Sequence, residues 1–430
     1  MKTAVIGAGW AGMAAAVSAA EAGHSVSVWE AGRTLGGRAR ALPVRLPDGS
    51  ETLLDNGQHI LIGAYTETLR MMCHVGLEPT QLLLRLPLTL QFPDGGGIRF
   101  TTWPAPLDAL AGIVSARGWS LADKFALARV ALRWRLDGFC CAPTLTVAQL
   151  CSSLSPRVIA ELIEPLCVSA LNTQANGSSG QVFLTVMRDA VFGARNGSNL
   201  LLPRVDLSTL FPDAAARWLA ARGHPVRTAS RVRHLEHDGT RWRVDGTDVD
   251  RVVLATAAPD ALHVLDASMG HVAAQTAQAI RTWADTTRAL PHAAITTVYA
   301  WGRGAVLARP MLALRSGADA DTPSPAQFVF DRGQLGGPPG LLAFVVSASQ
   351  GDRDALQSQV LAQARLQLGL ALQPLRTVVE KRATLVCAPG LRRPPMEIAP
   401  GLLAVGDYVD GPYPSTLEGA VRAGISVTRS

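Results

Sequence analysis

An α/β fold is predicted, with a discontinuous Rossmann-like nucleotide domain and an α+β domain carrying a second sheet. Three features predict it. A strand, a glycine loop, a helix and a second strand open the chain. Short apolar strands return near residues 225–254, after a long helical insertion. A buried strand, a Gly-Asp turn and a helix close it over residues 402–424. The 430-residue chain suits two or three domains with an ample core. With 48% apolar and 17% charged residues it is globular and not disordered.

Residues 1–6 end in an apolar run that reads as a buried parallel strand. Gly7, Gly9 and Gly12 follow in G-x-G-x-x-G spacing, with Trp10 and Ala11 inside the loop. Gly7 allows the tight turn, Gly9 lets a pyrophosphate approach the backbone, and Gly12 lets helix and strand pack closely. Residues 13–22 read as an Ala-rich helix stopped by Gly23. Its N-terminus offers free N–H groups and partial positive charge to phosphates. The second strand, 25–29, ends on Glu30. A carboxylate there binds both hydroxyls of an adenosine ribose and repels a 2′-phosphate, which argues against NADP. One lysine followed by an uncharged run to residue 20 imitates a secretory signal. The glycines break that run and no cleavage site follows, so export is not expected.

Ala31 and Arg33 lead into Gly36, Gly37 and Arg38. These resemble the extended FAD motif of the amine oxidase and phytoene desaturase superfamily. The glycines add backbone N–H groups at the pyrophosphate and Arg38 adds a cation beside it. An NAD enzyme has no need of this second loop, so the expected cofactor is FAD.

The net charge of +6 is almost all arginine, since lysine occurs only at Lys2, Lys124 and Lys381. No basic run is interleaved with aromatics, so nucleic acid is excluded as a partner. A mild attraction to anionic lipid fits the charge. The six cysteines form no C-x-x-C and no zinc spacing, so no metal is expected. Scattered cysteines point to a reduced, cytoplasmic setting. No apolar run outside the N-terminal fingerprint reaches membrane-spanning length.

Taken in order, a hairpin turns at Asp48-Gly49 between residues 42–46 and 51–54. Asn56-Gly57 is a second turn, flanked by Gln58 and His59. A helix spans 66–75, and two strands span 82–100 around Pro93-Asp94-Gly95. Residues 103–136 read as mostly helical, with breaks at Pro106 and Gly118 and Ser120 as an N-cap. Apolar and basic residues share that last helix, so it fits either a surface helix on its own core or an interfacial membrane helix. Residues 161–191 carry few charges and suit a buried helix pair or the lining of a long apolar ligand. A helix follows from about 212 to 223, then strands at 225–228, 232–237, 241–244 and 250–255. Residues 260–290 are helical, and 295–301, 311–314, 326–331 and 341–347 form the second sheet. A helix over 353–370 and a strand over 375–387 precede the closing unit, where Ser415 or Thr416 opens the last helix. The expected division gives residues 1–80, 200–265 and 396–430 to the nucleotide domain, and 81–199 and 266–395 to the substrate domain.

Four stretches carry a closer resemblance: L-D-N-G-Q-H-I-L-I-G-A-Y, E-P-L-C-V-S-A-L-N-T, L-L-P-R-V-D-L-S-T-L-F-P-D-A-A-A-R-W-L and V-G-D-Y-V-D-G-P-Y-P-S-T-L-E-G-A-V-R-A-G. With them the chain resembles the hydroxysqualene dehydroxylases, a squalene-associated family of FAD-dependent desaturase-like proteins from hopanoid synthesis. The resemblance implies reductive removal of the hydroxyl of hydroxysqualene, with non-covalent FAD, a hydrophobic C30 isoprenoid substrate and an electron donor of unknown identity. It implies that Gly57, Gln58 and His59 run past the flavin ring and that a strand near Val232 pairs with the adenine edge. Gly406 and Asp407 then face the ribityl chain or pyrophosphate, and Thr416 and Leu417 point N–H groups at the flavin C2 carbonyl. His59, Tyr408, Asp410 and Tyr413 become the polar residues nearest the ring. His59 is favoured as acid or as orienter of a water, with Asp410 second. Rivals are a carotenoid-type desaturase, an amine oxidase and a non-catalytic flavin binder. A bilayer-resident substrate without a spanning helix implies peripheral docking on the inner membrane, through residues 103–136.

Overall fold

The computed structural model describes residues 1–103, 107–193, 195–317 and 323–428. Among them, six strands form one sheet in the order Val226–Arg227, Ser25–Trp29, Lys2–Ile6, Arg251–Leu254, Leu402–Ala404, Glu397–Ala399. The first five run parallel and the last antiparallel. Three separated stretches of chain thus meet edge to edge in one sheet. Parallel strands are buried on both faces, and this sheet follows that rule. One face packs on Trp10–Glu21, Pro212–Ala220 and Leu417–Ile425, the other on Ala258–Ser268 and Ala274–Arg288. Gly424 lets helices Trp10–Glu21 and Leu417–Ile425 touch, because a Cβ there would lie 2.3 Å from the carbonyl oxygen of Ala11.

The second sheet is antiparallel, in the order Met311–Ala313, Phe328–Asp331, Leu341–Ser349, His292–Trp301, Gln373–Leu385. Helix Arg353–Leu368 covers one face. The other face joins the core of the helical insertion, residues 107–191. Within that insertion Pro165 cannot supply the amide hydrogen that an α-helix needs. A π-helical turn, Ile159–Ile163, directly precedes helix Glu164–Leu171, which carries the proline in its first turn. Asn172 then ends that helix in the left-handed region at φ 47°.

Several sequence expectations shift. The N-terminal helix starts at Trp10, because the glycine loop is itself the helix start. Residues 82–100 hold three strands, and Leu83–Leu86 pairs with the unforeseen strand Leu200–Pro203. The break at Gly118 separates helices Leu107–Ser115 and Leu121–Leu136, while the break expected at Pro106 lies outside the described residues. Ser120 caps the second of these helices through a capping box with Asp123. Residues 232–234 are not strand, since the pairing starts at Leu235. Among the described residues no helix is long and apolar enough to cross a membrane.

Asp55 ties the hairpin Ala41–Arg45/Glu51–Asp55 to the nucleotide domain. Its carboxylate is 2% exposed and accepts the Leu207 N–H at 2.8 Å. Burial pushes its pKa up from 3.8 to about 6. A raised carboxyl pKa means that ionisation costs stability as pH rises through the folded value. Asp55→Asn keeps the acceptor and removes the charge. It is expected to stabilise the protein by roughly 2 kcal/mol above pH 6, the gain vanishing below pH 3.8. Denaturant unfolding at the two ends of that range measures it, and an equal gain at both ends would contradict the assignment.

Candidate functional site

The nucleotide loop is fixed by sterics. Gly7 sits at φ +105°, and a Cβ on it would meet the Ala255 carbonyl oxygen at 2.7 Å. A Cβ on Gly12 would lie 1.9 Å from the Gly7 oxygen. Gly9 faces Gly37 and pairs with Gly36 in an isolated parallel bridge, so two glycine loops approach backbone to backbone. Trp10 donates its indole N–H to the Ala39 oxygen at 3.2 Å and packs on Phe211. Glu30 directly follows the second strand, its two carboxylate oxygens accepting the Ala8 N–H at 2.8 Å and the Gly32 N–H at 2.6 Å. The carboxylate therefore rims the mouth of the loop with lone pairs still available.

A cavity of about 570 Å³ runs from these loops at the carboxyl ends of the parallel strands to the second sheet. That is where open α/β sheets bind their ligands. Its polar end is lined by Gly7, Glu30, Gly37, Arg38, Thr256 and Asp407. Its far end is lined by Val168, Ile295, Met311, Phe328, Phe330 and Val345. Arg38 pairs with Asp407 and donates to the Ala383 oxygen at 2.6 Å, which ties the N-terminal loop to the last turn of the chain. Thr416 caps helix Leu417–Ile425 by accepting the Gly419 N–H at 2.9 Å. The N–H of Leu417 is left without a helical partner beside the cavity. Ser415 holds a left-handed φ of 59° and its hydroxyl accepts the Leu385 N–H at 2.8 Å.

In the middle of the cavity Gly57 turns at φ +119°. His59 donates Nδ1–H to the Gly57 oxygen at 2.8 Å, because a carbonyl can only accept. Burial lowers its pKa, so the ring is neutral and presents Nε2 as an acceptor. Gln58 donates its amide to the His59 oxygen at 3.0 Å. Gln58 Oε1 and Thr256 Oγ1 are buried on the cavity wall with no partner among the described residues. Neither the N–H nor the C=O of Val232 has a partner among the described residues. Narrow glycine loops, an acidic rim, an open backbone edge and unsatisfied polar atoms fit an elongated nucleotide with a polar ring.

The profile of the flavin-containing amine oxidoreductases matches residues 10–429. The chain belongs to this family. It is a flavin-dependent oxidoreductase. It is similar to the hydroxysqualene dehydroxylase of Rhodopseudomonas palustris, 29% identical over 98% of this chain and 96% of the relative. It is also similar to that of Sinorhizobium fredii, 25% identical over 98% and 95%. An oxidoreductase structure from Methanosarcina mazei shares the fold with a TM-score of 0.73 at 18% identity, covering 100% of each chain.

Within this amine oxidoreductase cavity the structure brings together Gly7, Gly9, Trp10, Ala11, Glu30, Ala31, Gly36, Gly37, Arg38, Gly57, Gln58, His59, Val232, Gly406, Asp407, Thr416 and Leu417. Gly12 stands behind the loop as a packing residue. Arg33 is exposed and lines nothing here, and Arg40 takes the wall instead, anchored on the Gly37 oxygen at 2.7 Å. Three of the four catalytic candidates point elsewhere. Tyr408 turns into the opposite core against Trp283 and lines a smaller neighbouring cavity of about 220 Å³. Asp410 has a side chain 74% exposed and pairs with Arg393 at 3.3 Å. Tyr413 donates its hydroxyl to Asp189 at 2.7 Å. Of the four, His59 lines the cavity, where burial lowers the pKa of its ring.

Sequence reasoning missed Asn56, Asn172, Thr256 and Glu380, all on the wall. Asn172 lies in the stretch V-S-A-L-N-T and joins three elements: it accepts the Ala348 N–H at 2.6 Å and donates to Thr384 at 2.9 Å. Its signal is an asparagine at a helix C-terminus, where αL geometry favours it.

Glu30→Ala is expected to lower flavin affinity at least tenfold. It removes the hydrogen bonds to Ala8 and Gly32, and charge-assisted bonds contribute roughly 1.5–3 kcal/mol each. Fluorescence titration of the apoprotein reads it. Unchanged affinity would take Glu30 out of the site.

Proposed function

We propose that the protein is an FAD-dependent dehydroxylase that removes the hydroxyl of hydroxysqualene reductively and yields squalene. The observation that carries this reading is similarity to two hydroxysqualene dehydroxylases along 98% of the chain. The apolar far end of the cavity supports a hydrocarbon substrate. The two glycine loops support a dinucleotide, and the acidic rim at Glu30 supports an unphosphorylated adenosine ribose, as in FAD. Attachment through sulfur needs a cysteine, and among the described residues none lines the cavity, which favours non-covalent FAD.

Replacing an allylic hydroxyl by hydrogen takes one hydride and one proton and releases water. Reduced FAD, when bound, would supply the hydride, and solvent would supply the proton that leaves with the hydroxyl as water. The side chains prepare the rest. Phe328, Phe330, Met311 and Val345 exclude water from the chain of the substrate and hold its allylic end in the middle of the cavity. His59 Nε2 accepts a hydrogen bond from the substrate hydroxyl or from a water, which orients the C–O bond. The N–H of Leu417, at the start of helix Leu417–Ile425, brings partial positive charge to the cavity, where it favours an anionic ring.

Anaerobic incubation of the photoreduced protein with hydroxysqualene tests the reading. Squalene is the expected product by mass spectrometry, and acid treatment should release free FAD. Desaturation of a polyene by the oxidised protein, with no squalene formed by the reduced protein, would favour the carotenoid-type rival instead.

A further inference from the structure

We propose that helices Leu107–Ser115 and Leu121–Leu136 form a docking face for an anionic phospholipid bilayer. The second helix has two apolar faces. Leu127, Val130 and Trp134 are buried, and Trp134 packs edge-on against Phe183 in the core shared with the far wall of the flavin-site cavity. On the opposite side Leu121, Phe125, Leu132 and Leu136 are 83%, 81%, 57% and 77% exposed. At 100° per residue these four fall within a stripe about 60° wide. Lys124 and Arg135 flank one side of it, and Arg129 and Arg133 the other. Helix Leu107–Ser115 adds Leu107, Leu110 and Val114, spaced for one face and exposed by 52%, 46% and 70%. A stripe of this kind, rimmed by basic residues, is the geometry of a helix lying in a membrane interface. Scattered single apolar residues need no such account, but a contiguous patch does.

The charges supply a second, independent observation. Beside helix Leu107–Ser115 lies a groove of about 630 Å³ lined by Arg99, Arg117 and Arg309. Among the described residues none of the three guanidinium groups has an acidic or hydrogen-bonding partner. Gln91 Oε1, on the same wall, is buried without a partner among the described residues. Arginine forks match phosphate oxygens, and three of them beside an exposed apolar ledge match lipid head groups whose acyl chains meet the ledge. Arg129 and Arg135 likewise have no acidic partner among the described residues. The apolar stripe and the unpaired arginines thus fit one occupant, a bilayer with negative surface charge.

Lipid binding is read without substrate, so the test stands apart from the substrate assignment. The flavin-loaded protein is floated with vesicles of phosphatidylcholine alone or mixed with phosphatidylglycerol, at low and high salt. Flotation is expected with the anionic vesicles and should weaken as salt rises. Phe125→Ser with Leu132→Ser, both on the exposed face, should lower binding roughly tenfold while flavin content and melting temperature hold. Arg99→Gln, Arg117→Gln and Arg309→Gln together should remove the preference for phosphatidylglycerol, at roughly fivefold per arginine. Equal flotation on neutral vesicles, or an unaffected Phe125/Leu132 variant, would overturn the proposal. So would a dimer in light scattering that the same double variant converts to monomer, since a second copy would then cover the face.

Discussion

Gly12→Val is expected to yield protein without flavin, and Gly12→Ala nearly so. The first added carbon would lie 1.9 Å from the Gly7 oxygen and 3.0 Å from the Ala255 Cβ. Overpacked cores typically lose roughly 1–3 kcal/mol, but there the neighbours are side chains that can move. Here the neighbour is backbone, held by the turn at Gly7. The helix must therefore separate from the strand, and the phosphate loop opens. Gly9→Ala is the contrast. Its nearest atom is the Gly37 Cα at 3.8 Å, so the fold is kept while the gap between the loops narrows. Flavin absorbance per chain and the melting temperature separate the two outcomes. Gly12→Ala protein that purifies with full flavin would show that the loop is not the cofactor cradle.

Asp407→Ala is expected to be nearly as severe. Asp407 and Arg38 join the closing turn to the second glycine loop, and their side chains are 12% and 34% exposed. Removing one partner of a fully buried pair costs about 3–5 kcal/mol. Partial exposure of Arg38 should bring this down to roughly 2–3 kcal/mol. The loss falls on the polar end of the cavity, where Arg38 also holds the Ala383 oxygen, so flavin should dissociate before the protein unfolds. Asp407→Asn keeps an acceptor and should recover part of the flavin content. Full occupancy in Asp407→Ala would make the ion pair a purely structural bond.

The glycine loops were legible because their constraint is local: a missing Cβ at a fixed spacing states the turn by itself. The two sheets were legible for a related reason, since short apolar runs between turn residues give the strands away. The facing of side chains within the closing turn was not legible. Residues 406–416 have no helical or strand period, so nothing local tells that Asp407 faces the cavity while Tyr408, Asp410 and Tyr413 turn away. Glu380 and Thr384 arrive through the long pairing of His292–Trp301 with Gln373–Leu385, and Asn56 meets Glu380 across 324 residues of chain. The protonation state of His59 belongs to the same class. A histidine in sequence carries its ordinary value of 6.5, and only the fold shows that burial lowers it.

The central claim is hydride delivery to an allylic carbon as water leaves. The most direct measurement is a single turnover of hydroxysqualene by photoreduced protein in D2O under anaerobic conditions, where the transferable hydrogen on the flavin is deuterium. The account predicts squalene carrying one deuterium per flavin oxidised, at the carbon that bore the hydroxyl. Squalene without deuterium, or reduced flavin that stays reduced in the presence of hydroxysqualene, would contradict it.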